Sequence, residues 1–221
     1  MPVACCLLPV NATVAFAEMG FSLLCLEPNR DFYWLARQNC QQYPNVEILN
    51  TSFEEWSGEA EAFDAIIAAT AMHWVSPEIA YPKAANILKE NGSLILLWNV
   101  IPEPSPSRYN SAREIYQTYA PAITAYEGKE SQQAKLKGIE EVVINSGKFV
   151  ELVSGWIDCQ AVYSIDDYLA LLSTLSPYLK LEQYNRELLF KHLRESMEQD
   201  IEKKINVSYL SAFQVAYKYI L

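Results

Sequence analysis

The first hundred residues predict an α/β fold: a doubly wound, mainly parallel sheet with helices on both faces. Three observations carry the prediction. Short apolar runs recur at residues 3–8, 22–26, 46–49, 64–69 and 93–98, the mark of strands buried on both faces. Stretches with helix cap signals separate those runs, so the connections read as right-handed βαβ crossovers. With 221 residues, 51% of them hydrophobic and 20% charged, the chain can bury a sizeable core.

Each element has a local reason. Pro9 closes the first run, and Asn11 can cap a helix from Ala12 to Met19 that Gly20 stops. The second run ends at Glu27 and Pro28, and Asn29 then caps a helix through Cys40. Tyr43, Pro44 and Asn45 form a turn before the third strand. The fourth strand leads to a helix expected to start near Pro77 and end at Asn91 and Gly92, ahead of the fifth. Three prolines between residues 101 and 106 make a semi-rigid connector rather than a helix or central strand. A tyrosine-rich helical stretch at 109–126 follows, interrupted at Pro121. Further expectations are a helix at 138–146 closed by Gly147, a strand at 149–153 and a helix at 165–175 capped by Ser164. A long amphipathic helix at 181–204 and a last strand at 206–219 complete the chain.

Composition excludes several functions. Acidic residues number 27 and basic residues 17, leaving a net charge of −10 that repels phosphate backbones and anionic lipids. Neither nucleic acid nor a membrane is therefore an expected partner. No run reaches the ~18 apolar residues that span a bilayer, and the apolar start lacks the basic region of a signal peptide. Five cysteines without a C-x-x-C pair, and only two histidines, offer little for a metal and read as reduced thiols of a cytoplasmic protein. There is no Walker motif, no H-E-x-x-H and no G-x-S-x-G.

In a doubly wound sheet, ligands bind outside the carboxyl ends of the strands. Glu27 closes the second strand, where a carboxylate can accept from a ribose diol; it also fits as a surface carboxylate near a helix N-terminus. Thr70, His73 and Trp74 follow the fourth strand. His73 can orient a substrate or take a proton, or the pair can be a packed Trp with a supporting His. Asn99 ends the fifth strand as a possible ligand donor or a turn cap. Tyr109, Tyr116, Tyr119 and Tyr126 can line an apolar pocket or pack ordinarily.

From Asn11 to about Val100 the chain resembles class I S-adenosylmethionine-dependent methyltransferases, within them the small-molecule type 11 group and the branch related to trans-aconitate methyltransferase. Residues 23–29, 46–54, 63–74 and 84–97 carry the resemblance in order and at matching spacing, and residues 163–176 resemble the family's C-terminal part. It implies a Rossmann-like single domain: a cofactor-binding half at 1–100, an α-helical lid insertion at 101–147, and a C-terminal part at 148–221 that completes the sheet. It implies S-adenosylmethionine as cofactor, a small-molecule methyl acceptor and no metal. Glu27 would hold the ribose, Ser52 and Phe53 the adenine, and Thr70 the cofactor-side wall. His73 and Trp74 would stand at the reacting end, with residues 101–126 as substrate lid.

Two departures matter. The family follows its first strand with a glycine-rich loop, but residues 7–13 hold no glycine, and the first in the chain is Gly20. The helix that usually precedes that strand is also missing, and the break is confined to the first ten residues, as a shifted reading frame or misplaced start would produce. Thr51 stands where relatives carry an acid, and its hydroxyl accepts more weakly than a carboxylate. A second hypothesis therefore accompanies methyl transfer: a non-catalytic protein of the same fold with weak or no cofactor binding. A nicotinamide-dependent dehydrogenase fits less well, since it also needs a phosphate-cradling glycine loop.

Overall fold

A computed structural model describes residues 2–6, 10–123, 128–199 and 203–219. They form two compact units: Met1–Asn99 with Gln133–Ile157 and Ser211–Leu221, and Val100–Gln132 with Asp158–Leu210. The sequence reading groups 101–147 as one insertion; here the second unit takes residues 100–132 together with 158–210, and most of the helix before residue 147 belongs to the first.

The first unit is built on strands β1 (Pro2–Cys6), β2 (Ser22–Leu26), β3 (Val46–Leu49), β4 (Phe63–Ala69), β5 (Leu88–Asn99) and β8 (Lys204–Lys218), the last entering it at Ser211. Their order is β3-β2-β1-β4-β5-β8, parallel up to β5, with β8 antiparallel to β5. This is the expected Rossmann-like architecture. The reversal in order lies at β1 and β4, which opens a crevice at the carboxyl ends of the flanking strands. β4 is central, and Ile66, Ile67 and Ala68 are at most 1% exposed, which is why its sequence shows no polar alternation.

Helices α1 (Val10–Glu18), α2 (Arg30–Cys40) and α3 (Pro77–Ile87) connect the strands. α1 starts at Val10, so Asn11 lies inside it rather than at its cap; Leu7, Leu8 and Pro9, the glycine-free segment, lie outside the described residues. Asn29 caps α2 as expected, accepting from the Asp31 and Phe32 amides at 2.9 and 3.1 Å. α3 ends at Ile87, not at Asn91 and Gly92. Leu88 is fully buried opposite Phe63, and residues 89–92 form a bulge before Ser93 pairs with Ala65. Lys89 reaches Asp64 at 3.0 Å across that bulge, and a Cβ at Gly92 would lie 3.0 Å from the Lys89 carbonyl oxygen. The Asn–Gly pair thus serves a tight bulge rather than a helix end.

The second unit is mainly helical. It contains α4 (Pro106–Ser111), α5 (Arg113–Tyr119), α7 (Ile165–Thr174), α8 (Ser176–Leu179) and α9 (Gln183–Glu198). α5 and α7 both pack on α9, whose Leu189, Leu193 and Met197 recur every fourth residue as a buried stripe. α9 is shorter than the expected 181–204. The proline connector contains β6 (Glu103–Pro104), a two-residue strand beside β8 where a missing amide donor is tolerated, and ends at Pro106, the first residue of α4. Tyr126 lies outside the described residues.

Two elements are longer than expected. α6 (Gly128–Asn145) begins ten residues before Gly138, which sits inside it with open space around its Cβ position. β7 (Phe149–Ser164) runs eleven residues past Val153 and pairs with β8. Val153, Ile157 and Val162 on it are exposed, so its pattern lacks the burial contrast that reveals a strand. Among the described residues no helix is long and apolar enough to cross a membrane.

Candidate functional site

A cavity of about 520 Å³ lies at the carboxyl ends of the first unit's strands. β2 contributes Cys25 and Leu26, β3 Ile48, and β4 Ala69; Thr70, Ala71 and Trp74 follow β4, and α2 adds Phe32, Leu35 and Ala36. Among the described residues of this wall, Glu27 is the one that is formally charged.

The strand ends fix Glu27 firmly. Its amide donates to the Leu49 carbonyl at 3.0 Å. The Asn50 side chain donates to the Glu27 and Pro28 carbonyls at 2.8 and 3.1 Å, which ties the end of β2 to the end of β3. One carboxylate oxygen accepts from the Asn29 amide at 2.8 Å. The other takes no hydrogen bond from a described residue. Burial raises the Glu27 pKa above its ordinary value, and the Asn29 amide opposes part of that shift by stabilising the anion. The result is an oriented acceptor with spare lone pairs, the chemistry that a vicinal diol requires.

Thr70 turns the chain at the end of β4 with φ +49°, in the left-handed region. A β-branched residue there costs roughly 1–2 kcal/mol. Two contacts hold it: its amide donates to the Leu97 carbonyl at 2.7 Å, and its hydroxyl accepts from the Asn99 amide at 3.4 Å. Strain at a strand end facing a cavity is a usual attribute of ligand sites.

Met72–Trp74 form a single 3-10 turn after Thr70. Trp74 lines the cavity and is 66% exposed. His73 does not line it. Its imidazole lies against two indoles, with ring centroids 4.8 Å from Trp74 and 5.7 Å from Trp98. Burial lowers the His73 pKa below 6.5, so the ring is neutral at pH 7. Trp98 is fixed in turn: its indole N–H donates to Gln214 Oε1 at 3.1 Å, and the Gln214 amide donates to the Leu136 carbonyl at 2.8 Å.

Ser52 and Phe53 occupy the loop after β3 and are not among the cavity-lining residues. Ser52 Oγ accepts from the Glu55 amide at 3.2 Å. Phe53 is 1% exposed, against the Trp56 ring at 6.5 Å and with Lys83 Nζ 5.3 Å from its centroid. Lys83 pins the loop by donating to the carbonyls of Glu54, at 2.9 Å, and Trp56. Thr51 donates its hydroxyl to the Ser52 carbonyl at 3.4 Å. The structure thus brings Glu27, Thr70 and Trp74 to one cavity and leaves Ser52, Phe53 and His73 off its wall.

Sequence reasoning missed Thr13, Asn50 and the apolar face of α2. Thr13 is 4% exposed in α1, lines the cavity and lies 4.0 Å from Cys25 Sγ. A threonine within an apolar helix was the available signal. Phe32 and Leu35 stay 61% and 49% exposed, and large apolar residues left open beside a cavity mark a ligand surface.

Residues 3–96 match the model of a family described as a methyltransferase domain. Uncharacterized methyltransferases of Mycobacterium tuberculosis and Mycobacterium bovis are 32% identical over 87 residues, 39% of this chain and 35% of theirs. The chain therefore spans about a third of the length of these curated relatives. A provisionally assigned methyltransferase of Dictyostelium discoideum is 22% identical over 85% of this chain and 68% of that protein. Among solved structures, a provisionally assigned type II methyltransferase from Anaeromyxobacter dehalogenans aligns with a TM-score of 0.65 and 14% identity, over 98% of this chain and 89% of that one. A phosphoethanolamine N-methyltransferase of Haemonchus contortus, solved with phosphomonomethylethanolamine and S-adenosylhomocysteine, aligns at 0.55 and 14%, over 100% of this chain and 49% of its own. The chain has the Rossmann-like α/β fold of these methyltransferase structures, and its residues 3–96 carry the sequence pattern of a methyltransferase domain.

Proposed function

We propose that this chain is a class I S-adenosylmethionine-dependent methyltransferase of the type 11 group, acting on a small-molecule acceptor. One observation carries the reading. Among the described residues of the strand-end cavity the only charged one is Glu27, a carboxylate with an open oxygen, and it stands inside the segment that matches the methyltransferase domain. A nucleoside needs a diol acceptor and an apolar slot for its base. Glu27 supplies the first, and Phe32, Leu35 and Ile48 supply the second.

When bound, the cofactor supplies an electrophilic methyl on a positively charged sulfur. The chain's own residues bind, orient and exclude water. Glu27 accepts from the ribose hydroxyls, and Thr70 offers its hydroxyl on the wall. Ser52 and Phe53 contribute to the base through their loop's backbone, because the Phe53 ring is packed inward. Trp74 presents an aromatic face of the kind that favours positive charge. His73 acts as a positioning residue for Trp74 and Trp98, neutral at working pH.

The described cavity wall contains no histidine or lysine. An acceptor atom that already carries a free lone pair, such as a carboxylate oxygen, needs no base. That agrees with the resemblance to the trans-aconitate branch, and orientation alone can supply much of such a reaction's acceleration. Cys40 and Cys159 are free thiols, in keeping with a cytoplasmic setting.

The glycine-free stretch before Gly20 favours a second reading, a protein of this fold that binds cofactor weakly or not at all. Thermal unfolding of the full chain separates the two. At a hundred times its dissociation constant a ligand adds about 2.7 kcal/mol. S-adenosylhomocysteine should then raise the midpoint by about 5–10 °C for a chain of this size, while NAD leaves it unmoved. No shift with S-adenosylhomocysteine at millimolar concentration would leave the second reading standing.

A further inference from the structure

The second unit contains its own cavity, of about 300 Å³, and none of the roles proposed for the strand-end cavity draws on its residues. Its wall is aromatic, with Tyr109, Tyr116, Tyr168 and Tyr178 all contributing. The Tyr109 and Tyr116 rings stack with centroids 5.7 Å apart and planes 17° apart. The Tyr116 and Tyr178 hydroxyls satisfy each other at 2.9 Å.

Tyr168 differs from these. The residue is 3% exposed and lines the cavity, yet its hydroxyl makes no hydrogen bond with a described residue. No buried side-chain oxygen or nitrogen among the described residues is both sealed from solvent and unbonded, so this hydroxyl reaches open space. An O–H donor that opens into a largely apolar cavity and has no acceptor among the described residues is the polar group that can orient a molecule supplying the acceptor. Burial also raises the Tyr168 pKa, which keeps the hydroxyl a neutral donor across the accessible pH range. Glu103 and Arg108 line the same cavity with opposite charges, so the wall favours neither sign of ligand.

We propose that this cavity binds a small uncharged aromatic molecule bearing a carbonyl oxygen, its ring against the tyrosine faces and its oxygen accepting from Tyr168. Flat rings suit a wall of tyrosine rings through offset and edge-to-face contacts. The carbonyl gives the molecule its orientation, as the few polar groups of apolar pockets usually do. The proposal stands apart from methyl transfer, because every residue it uses belongs to the second unit and none to the Glu27 cavity.

The test uses the full chain without added cofactor. Acetophenone is titrated by calorimetry and ligand-observed NMR, beside ethylbenzene, which lacks the oxygen, and benzoate, which is charged. Acetophenone should bind at least about fivefold more tightly than either. Tyr168→Phe keeps the ring and should weaken acetophenone about five- to tenfold, while ethylbenzene stays within about twofold. Ala112→Leu fills the cavity and should abolish binding of both neutral probes. The proposal is overturned if the folded wild type binds neither neutral probe, or if benzoate binds best. It is equally overturned if acetophenone ignores Tyr168→Phe, or if folded Ala112→Leu binds unchanged. Should Ala112→Leu fail to fold by circular dichroism, the Tyr168→Phe difference decides alone.

Discussion

The two cavities are built from different materials. The first is made of strand ends, where a backbone hydrogen bond from Glu27 to Leu49 and side-chain hydrogen bonds from Asn50 to the Glu27 and Pro28 carbonyls fix a single carboxylate at the edge of a parallel sheet. The second is lined mainly by helices, and beside Glu103 and Arg108 its polar groups are tyrosine hydroxyls on rings that also pack in the hydrophobic core. Removing the functional group should therefore have different consequences. In the first unit a charge can be lost with little harm to folding, because backbone and Asn50 hold the turn. In the second unit, losing the hydroxyl of Tyr116 or Tyr178 leaves the other buried and unmet, so folding suffers directly.

The largest effect expected is on Glu27. Glu27→Ala removes a charged acceptor of two hydrogen bonds, each worth about 1.5–3 kcal/mol. Calorimetry should show S-adenosylhomocysteine affinity at least about a hundredfold weaker, with circular dichroism and the urea midpoint nearly unchanged. A variant that unfolds would break the contrast between the units.

Next comes the tyrosine pair of the second unit. Tyr178→Phe leaves the Tyr116 hydroxyl without its 2.9 Å partner and should destabilise the chain by about 1–2 kcal/mol in urea unfolding. Tyr116→Phe should cost a similar amount, and the double variant less than the sum, because removing both partners strands neither. Strict additivity would show that the two hydroxyls are not coupled.

A smaller effect of opposite sign is expected at Thr70. Glycine adopts φ +49° without strain, so Thr70→Gly should stabilise by about 0.5–1 kcal/mol after the entropic cost of glycine. Unchanged or lower stability would mean that the hydroxyl contact to Asn99 outweighs the strain.

The smallest effect sharpens the electrostatics. In the proposed site ribose hydroxyls would donate to the ionised form of Glu27, so cofactor affinity should be flat near neutrality and fall as pH drops through the Glu27 pKa. Because burial raises that pKa, the loss should set in above 4.5, the ordinary glutamate value. Glu27→Gln should bind weakly and show no such dependence. A wild-type profile that stays flat down to pH 4.5 would remove Glu27 from the binding site.

The same contrast explains what the sequence revealed. Parallel strands declare themselves as apolar runs, and topology then brings whatever follows them to one edge; Glu27, Thr70 and Trp74 were legible for that reason. The direction of the Phe53 ring was not legible, because an aromatic residue beside a site loop reads alike whether it faces a ligand or the core. Only its 1% exposure separates the two. The bulge at 89–92 depends on Leu88 meeting Phe63, a partner 25 residues away, so a local pattern extended the helix through it. β7 hid because several of its apolar residues face solvent. Tyr168 shows the limit most clearly: the sequence places a tyrosine on α7, but only packing leaves its hydroxyl unmet beside a cavity.

The central claim is that the strand-end cavity is a nucleoside site held by Glu27. Calorimetric titration of S-adenosylhomocysteine into the full chain at neutral pH tests it most directly. The account predicts one site with a dissociation constant in the micromolar range. No heat at millimolar ligand, from protein that circular dichroism shows to be folded, would contradict it.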